Sequence, residues 1–189
     1  RHRHAKPMQG LRRQRIRRVS RFGGLAGARP KVLSLSPDGL EDVFGDIARV
    51  GSALLADKEA QALISSLRAR VDAVRARAAG AARPRVACIE WIEPLMAAGN
   101  WVPELVDYAG GVNLFGTALK HSPWMQWEEL RTGDPDVVVL MPCGFDLGRT
   151  RKEAGVLPSR EGWGRLRAVR DGRVYGAEQR MYCSAVRTS

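Results

Sequence analysis

Residues 86–101 read Val86-Ala-Cys-Ile-Glu-Trp-Ile-Glu-Pro-Leu-Met-Ala-Ala-Gly-Asn-Trp101. The first six are short, apolar and rich in β-formers, the pattern of a buried strand. The rest holds Trp91, Met96, Trp101, one proline and one glycine, and reads as a loop. A helix then opens at Val102-Pro103. Proline suits the first turn, where its missing N–H costs nothing. Val102, Leu105, Val106 and Ala109 recur at helical spacing, and Gly110-Gly111 stops the helix. The order is strand, long aromatic loop, helix. In parallel α/β sheets, loops leaving the carboxyl ends of strands face the ligand crevice. Two tryptophans exceed what a connector of this kind needs, although either one alone also fits the role of a core anchor.

A second segment repeats the logic. Asp136-Val-Val-Val-Leu-Met141 is the β-branched text of a strand buried on both faces. Pro142-Cys-Gly-Phe-Asp-Leu-Gly148 follows as a loop at its carboxyl end. The loops at 91–101 and 142–150 therefore share one rim. Further elements are a strand at 32–35, an amphipathic helix opened by Ser36-Pro37 (Leu40, Val43, Phe44, Ile47), and a short helix beginning near Glu128. A turn at Asp171-Gly172 precedes a last strand at 173–177. Between residues 57 and 80 a single narrow stripe, Ala60, Leu63, Ile64, Leu67, Val71, Val74 and Ala78, marks the longest helix. About 22 residues would span about 33 Å, enough either to bridge two bodies or to lie on the surface of one. Strands alternating with helices imply a parallel α/β layer.

The net charge of +11 is uneven. Nine arginines and two lysines precede position 32 with no acidic residue among them, and the remaining 20 basic residues balance the 20 acidic ones. The body is neutral. The tail, residues 1–30, lacks apolar periodicity, so charge repulsion and low burial predict disorder. With only Phe22 interleaved and no reader module, nucleic-acid binding is disfavoured. His2 and His4 lie in this tail and make a poor metal site. Cys88, Cys143 and Cys183 are too few and too far apart for a disulfide framework or a structural zinc site. No stretch has the length of a membrane span or the layout of a secretory signal.

Taken in order, Glu90-Trp91-x-x-Pro94, Gly99-Asn100-Trp101-x-Pro103-Glu104-Leu105, Ala109-Gly110-Gly111, Asp134-Pro135-Asp136, Pro142-Cys143-Gly144-Phe145 and Leu166-x-Ala168-Val169-x-x-Gly172-x-Val174-Tyr175 carry a resemblance. Over residues 31–175 the chain resembles the cobalamin and iron-siderophore class of ABC-transporter substrate-binding proteins, most closely its cobalamin-binding branch. The resemblance implies two α/β lobes joined by one long helix, with ligand in the cleft between them. It divides the chain into the basic tail (1–30), a remnant of the N-terminal lobe (31–56), the connecting helix (57–80) and a C-terminal α/β lobe with a parallel sheet (81–189). It implies binding, not catalysis, of cobalamin or a related corrinoid or iron chelate, with ABC permease subunits as partners. It places the protein in the periplasm or cell envelope; with no signal segment here, the cytoplasm stays open. Most of the N-terminal lobe is replaced by the tail, and the sequence past Tyr175 runs out before the family's closing helices, which predicts a truncated or frame-disrupted relative.

On this reading Trp91 and Trp101 offer ring faces to the ligand and Met96 fills gaps. Glu93 and Asn100 orient polar groups, and Gly144 and Phe145 form the opposite rim. Glu128 matches the transporter-docking carboxylate by its spacing to Asp134-Pro135-Asp136; a helix-dipole acid on a solvated face fits it equally. Two rivals stand beside this reading. Cys143 with His121 can be drawn as a thiol nucleophile and base, although no third orienting group is evident and a small buried cysteine is the commoner outcome. Alternatively the chain is an incomplete relative that binds nothing, because a cleft with one wall leaves half the ligand in water.

Overall fold

A computed structural model describes residues 32–178 and 181–187. The basic tail at 1–30, with His2 and His4, lies outside them. Residues 35–189 form one compact unit, built on a mixed, mainly parallel sheet with helices.

The chain enters at α1 (Leu40–Ala53) and turns into α2 (Asp57–Ala78). Strand β1 (Arg85–Trp91) follows, then β2 (Met96–Ala97), α3 (Val102–Tyr108) and β3 (Val112–Asn113). Next come α4 (Trp127–Gly133), β4 (Val137–Leu140) and α5 (Leu147–Ala154). A short helix α6 (Arg167–Arg170), β5 (Val174–Glu178) and β6 (Met181–Arg187) complete it. The path across the sheet is β2-β1-β4-β5-β6, with β3 also on β1. The β1–β4, β4–β5 and β1–β3 pairs are parallel; β2 and β6 are antiparallel to their neighbours.

Strand β1 is central because its sequence suits burial on both faces. Ala87 and Ile89 enter one core with Val138, Leu140, Leu157, Leu166 and Ala168. Val86 and Cys88 enter the other with Ala98, Val102, Val106 and Val137. The period of two in a strand makes this division. Asp136 sets the start of β4. Its carboxylate accepts from the Arg85 backbone N–H at 2.8 Å and from Arg167 at 2.6 Å. These bonds, the backbone one first, hold its carboxyl below the usual range. A lowered carboxylate stabilises the fold above its unfolded value, and that contribution is lost as pH falls through the folded one. Asp136→Asn should therefore flatten the acid limb of the urea midpoint against pH; an unchanged limb would refute the assignment.

Four local expectations fail. Residues 32–35 form no strand; they are unpaired, and Val32 and Leu35 are exposed. Helix α1 opens at Leu40, not at Ser36-Pro37. The Asp42 carboxylate accepts from the N–H groups of Asp38 and Gly39, 3.0 Å each, and supplies the cap from inside the helix. The loop after β4 ends at Asp146, short of residue 150, since α5 begins at Leu147 with Asp146 capping it through the Arg149 N–H at 2.7 Å. The chain past residue 177 also continues into β6. On α1, Asp46 is buried and paired with Arg49.

The long helix is confirmed as a helix. Its stripe is half covered: Ala60 and Ile64 are buried, whereas Leu63 and Val74 are exposed. Among the described residues no helix is long and apolar enough to cross a membrane.

Candidate functional site

The carboxyl ends of β1 and β4 leave the sheet side by side. Met141 N–H donates to Ile89 O at 2.8 Å, and Cys143 N–H to Glu90 O at 3.2 Å. The two exits are thus held together beyond the last strand residue. At Gly144 the backbone has φ +80°, a conformation glycine adopts without strain. That turn brings Phe145 back over the exit of β1. Its ring lies 5.3 Å from that of Trp91 at an interplanar angle of 59°, a favourable tilted pair. The Arg149 guanidinium sits 3.7 Å from the Phe145 centroid. The expected common rim of the two segments is therefore realised as a ring contact.

The segment 91–101 is not an open loop. It folds back as β2, with Trp91 opposite Met96 and Ile89 opposite Ala97. Its outer edge is paired as well. Ala97 N–H donates to Pro123 O (3.0 Å), Met125 N–H to Leu95 O (3.0 Å), Asn100 N–H to Lys120 O (2.6 Å) and Leu119 N–H to Asn100 O (3.0 Å). Met96 and Trp124 form an antiparallel bridge. Residues 119–125 are the second wall of this strip.

Ser122 locks the two walls. It is buried, its hydroxyl donates to the Glu90 carboxylate, and it accepts from the Gly99 N–H at 3.0 Å. Glu90, Ser122 and Trp124 were missed by sequence reasoning. The only signal was Glu90's place at the end of a strand; Ser122 and Trp124 come to the rim through pairing across more than 20 residues.

The expected site residues separate. Trp91, Met96 and Phe145 gather at the rim, and Gly144 makes the turn that puts Phe145 there. Asn100, at φ +52°, spends its backbone on the strip. Trp101 is half-buried against the core of Val86, Cys88, Val102 and Val106, so it serves partly as the core anchor that sequence also allowed. Glu93 is exposed and ion-paired with Arg160, whose guanidinium lies 5.8 Å from the Trp127 ring. It lines a small cleft of about 160 Å³ with Ile92, Trp127 and Arg160. Glu128 is exposed and gripped by Arg131 at 2.8 and 2.9 Å and by Thr132 at 3.1 Å. The Arg131 bonds hold its carboxyl below the usual range. A larger cavity, about 580 Å³, opens elsewhere, beneath Trp163 between Leu140, Leu157, Val169 and Val174.

The cysteines differ. Cys88 is buried, which pushes its thiol up to about 12; Cys143 is exposed. His121 Nδ1 lies 2.9 Å from Ser122 O, so this ring nitrogen is engaged by backbone. Iodoacetamide should modify the exposed Cys143 in the folded protein and leave the buried Cys88 untouched until unfolding. Mass spectrometry of the labelled peptides would read this, and rapid labelling of Cys88 would refute its burial. Among the described residues no group of three or more His, Cys, Asp or Glu side chains is placed to hold a metal ion.

The mainly parallel sheet thus carries an aromatic rim at the carboxyl ends of β1 and β4. Residues 25–181 match the periplasmic binding protein family, and the chain belongs to that family. The family is one of binding proteins, not enzymes, which sets aside the thiol-enzyme reading of Cys143. Three solved structures place the fold. Heme-complexed IsdE from S. aureus matches with TM-score 0.70 and 19% identity over 83% of this chain and 62% of its own. An ABC transporter substrate-binding protein from Listeria monocytogenes EGD-e matches with 0.67 and 18% over 78% and 58%. An ABC-type Fe3+-hydroxamate transport system protein from Saccharomonospora viridis DSM 43017 matches with 0.62 and 23% over 80% and 51%. The chain thus spans roughly half to three fifths of these relatives. No curated protein matches it.

Proposed function

We propose that this chain is the ligand-binding component of an ABC uptake system in the cell envelope, taking a chelated metal ligand of the cobalamin, haem or ferric-siderophore class. The observation that carries the reading is the Trp91–Phe145 pair, which joins the carboxyl ends of β1 and β4 into one aromatic rim. A large, partly apolar ligand suits such a surface, where rings bury area with defined geometry. The heme held by IsdE and the Fe3+-hydroxamate named for the Saccharomonospora protein belong to the same chemical range; cobalamin is favoured by the motif order read above. In this reading residues 31–56 belong to a second lobe, α2 is the connecting helix, and the cleft lies between the lobes. Glu128 docks the permease, exchanging Arg131 for a basic group of the partner and fixing register more than affinity.

Titration with cyanocobalamin, hemin and a ferric hydroxamate, read by tryptophan quenching and calorimetry, tests this. Saturable binding at micromolar or tighter, weakened by Trp91→Ala at the rim, supports it; a folded protein that binds none of the three refutes it. The exposed Leu54, Leu55, Leu63 and Val74 on α1–α2 favour a second reading, in which this chain alone presents one wall of the cleft and binds nothing. That reading predicts the null titration together with concentration-dependent association through the apolar face.

A further inference from the structure

The cavity beneath Trp163 measures about 580 Å³, within the range of about 300–1,000 Å³ that encloses small-molecule ligands. The sheet closes it on one side through Leu140 of β4 and Val174 of β5, and Leu157, Trp163 and Val169 stand around it. It shares no lining residue with the Trp91–Phe145 rim. Gly172 also lines it, and a Cβ added there would meet no atom within 4 Å. Close-packed interiors leave few spaces of this size, and water between aliphatic walls finds few partners. An apolar body that displaces such water gains affinity.

One charge borders this space. Arg151, in the last turn of α5, is the single charged residue among the described ones that line it. Among the described residues its guanidinium has no ion-pair partner, whereas Arg149 on the same helix pairs with Glu153 at 3.8 Å and stacks on Phe145. The end of a helix favours a cation, which accounts for a base in this turn but not for its place beside an apolar cavity. A guanidinium there can hold a carboxylate through two parallel, charge-assisted hydrogen bonds.

We propose that this cavity is a ligand site for a fatty-acid-like monocarboxylate, with the aliphatic chain against Leu140, Leu157, Val169 and Val174 and the carboxylate on Arg151. The inference goes beyond the proposed function and stands without it, because neither the site nor the ligand class is shared with the rim. The chain follows from the walls. They are aliphatic apart from Trp163, whose ring is already paired with that of Trp127 at 6.1 Å. The single anionic head follows from the single unpaired cation.

The test is titration of the full chain with sodium decanoate below its micelle concentration, read by calorimetry and tryptophan fluorescence. Decanol, which lacks the charge, and acetate, which lacks the chain, are the comparisons. Far-ultraviolet circular dichroism checks that each variant is folded. The expected result is saturable decanoate binding at one site, none for acetate, and decanol weaker by roughly tenfold or more, since hydrogen bonds to a charged group are lost. Arg151→Gln should bring decanoate down to the decanol level, and Arg151→Lys should restore part of the difference. Ala154→Phe, which fills the cavity from α5, should abolish binding. Leu63→Ser, on the exposed stripe of α2, should change nothing. Equal affinity for decanoate and decanol, or decanoate affinity unchanged in Arg151→Gln, would overturn the carboxylate contact. Binding lost in Leu63→Ser but kept in Ala154→Phe would put the chain on α2 and overturn the site. A folded chain that does not bind decanoate overturns the proposal outright. So does a chain that sediments as a dimer until Ala154→Phe makes it a monomer, since a second copy then fills the cavity. None of these outcomes touches the titrations with hemin, cyanocobalamin and ferric hydroxamate, which test the rim.

Discussion

Gly99→Ala should lower the urea midpoint by the equivalent of about 3 kcal/mol, at the upper end of overpacking costs, with an unchanged slope. Gly99 is buried, and a Cβ there would lie 2.5 Å from Lys120 O, 2.6 Å from Ser122 N and 2.8 Å from His121 C. All three are backbone atoms, so no side chain can swing aside. Relief requires the 120–122 segment to move away, which breaks the Asn100–Lys120 and Gly99–Ser122 bonds. Met96 and Trp124 then part, and affinity for any rim ligand should fall with stability. An unchanged slope separates lost stability from a changed denatured state. A loss below about 0.5 kcal/mol, the range of a neutral surface change, would mean that the strip is not packed as described.

The second large effect is at the centre of the sheet. Leu140 is 2% exposed and sits on β4, between β1 and β5. It packs with Ile89, Leu157 and Leu166 and already borders the cavity beneath Trp163. Leu140→Ala removes buried methyl groups and enlarges that space, so it should cost about 2–5 kcal/mol. For a chain of this length each kcal/mol lowers the melting temperature by roughly 2–4 °C. A drop of about 4–20 °C is therefore expected in a calorimetric scan. Leu63→Ala on α2, where half the side chain is in water, should shift it by less than about 2 °C. A drop of similar size at Leu63 would show that α2's apolar stripe is covered in solution, by a second lobe or a second copy.

Both effects follow from the same division of the core. Strand β1 carries one set of side chains to each face, and its carboxyl end delivers Trp91 and Glu90 to opposite jobs. Trp91 meets Phe145, whereas Glu90 turns to Ser122 and clamps the strip. The rim is thus built on two central strands and is as firm as they are.

Strands β1 and β4, helices α2 and α3 and the short α4 were determined by sequence alone, because each is encoded locally. Hydrophobic runs, a 3.6-residue stripe, Pro103 in a first turn and glycines at an end all act within a few residues of one another. The family was legible for the same reason, since its motifs sit at the ends of those elements. The neutral body and the basic tail were legible from composition. The other half of the rim was decided only by tertiary structure. Residues 119–125 carry no strand pattern; they become a wall because their backbone groups meet those of 95–100. That pairing alone sets Trp124, exposed, opposite Met96. Partner choice did the same to Glu93, which went to Arg160, whereas Glu128 found Arg131 within its own turn of helix. Where a hydrogen bond closes within one turn, sequence suffices. Where the donor and acceptor are more than twenty residues apart, only the packed chain brings them together.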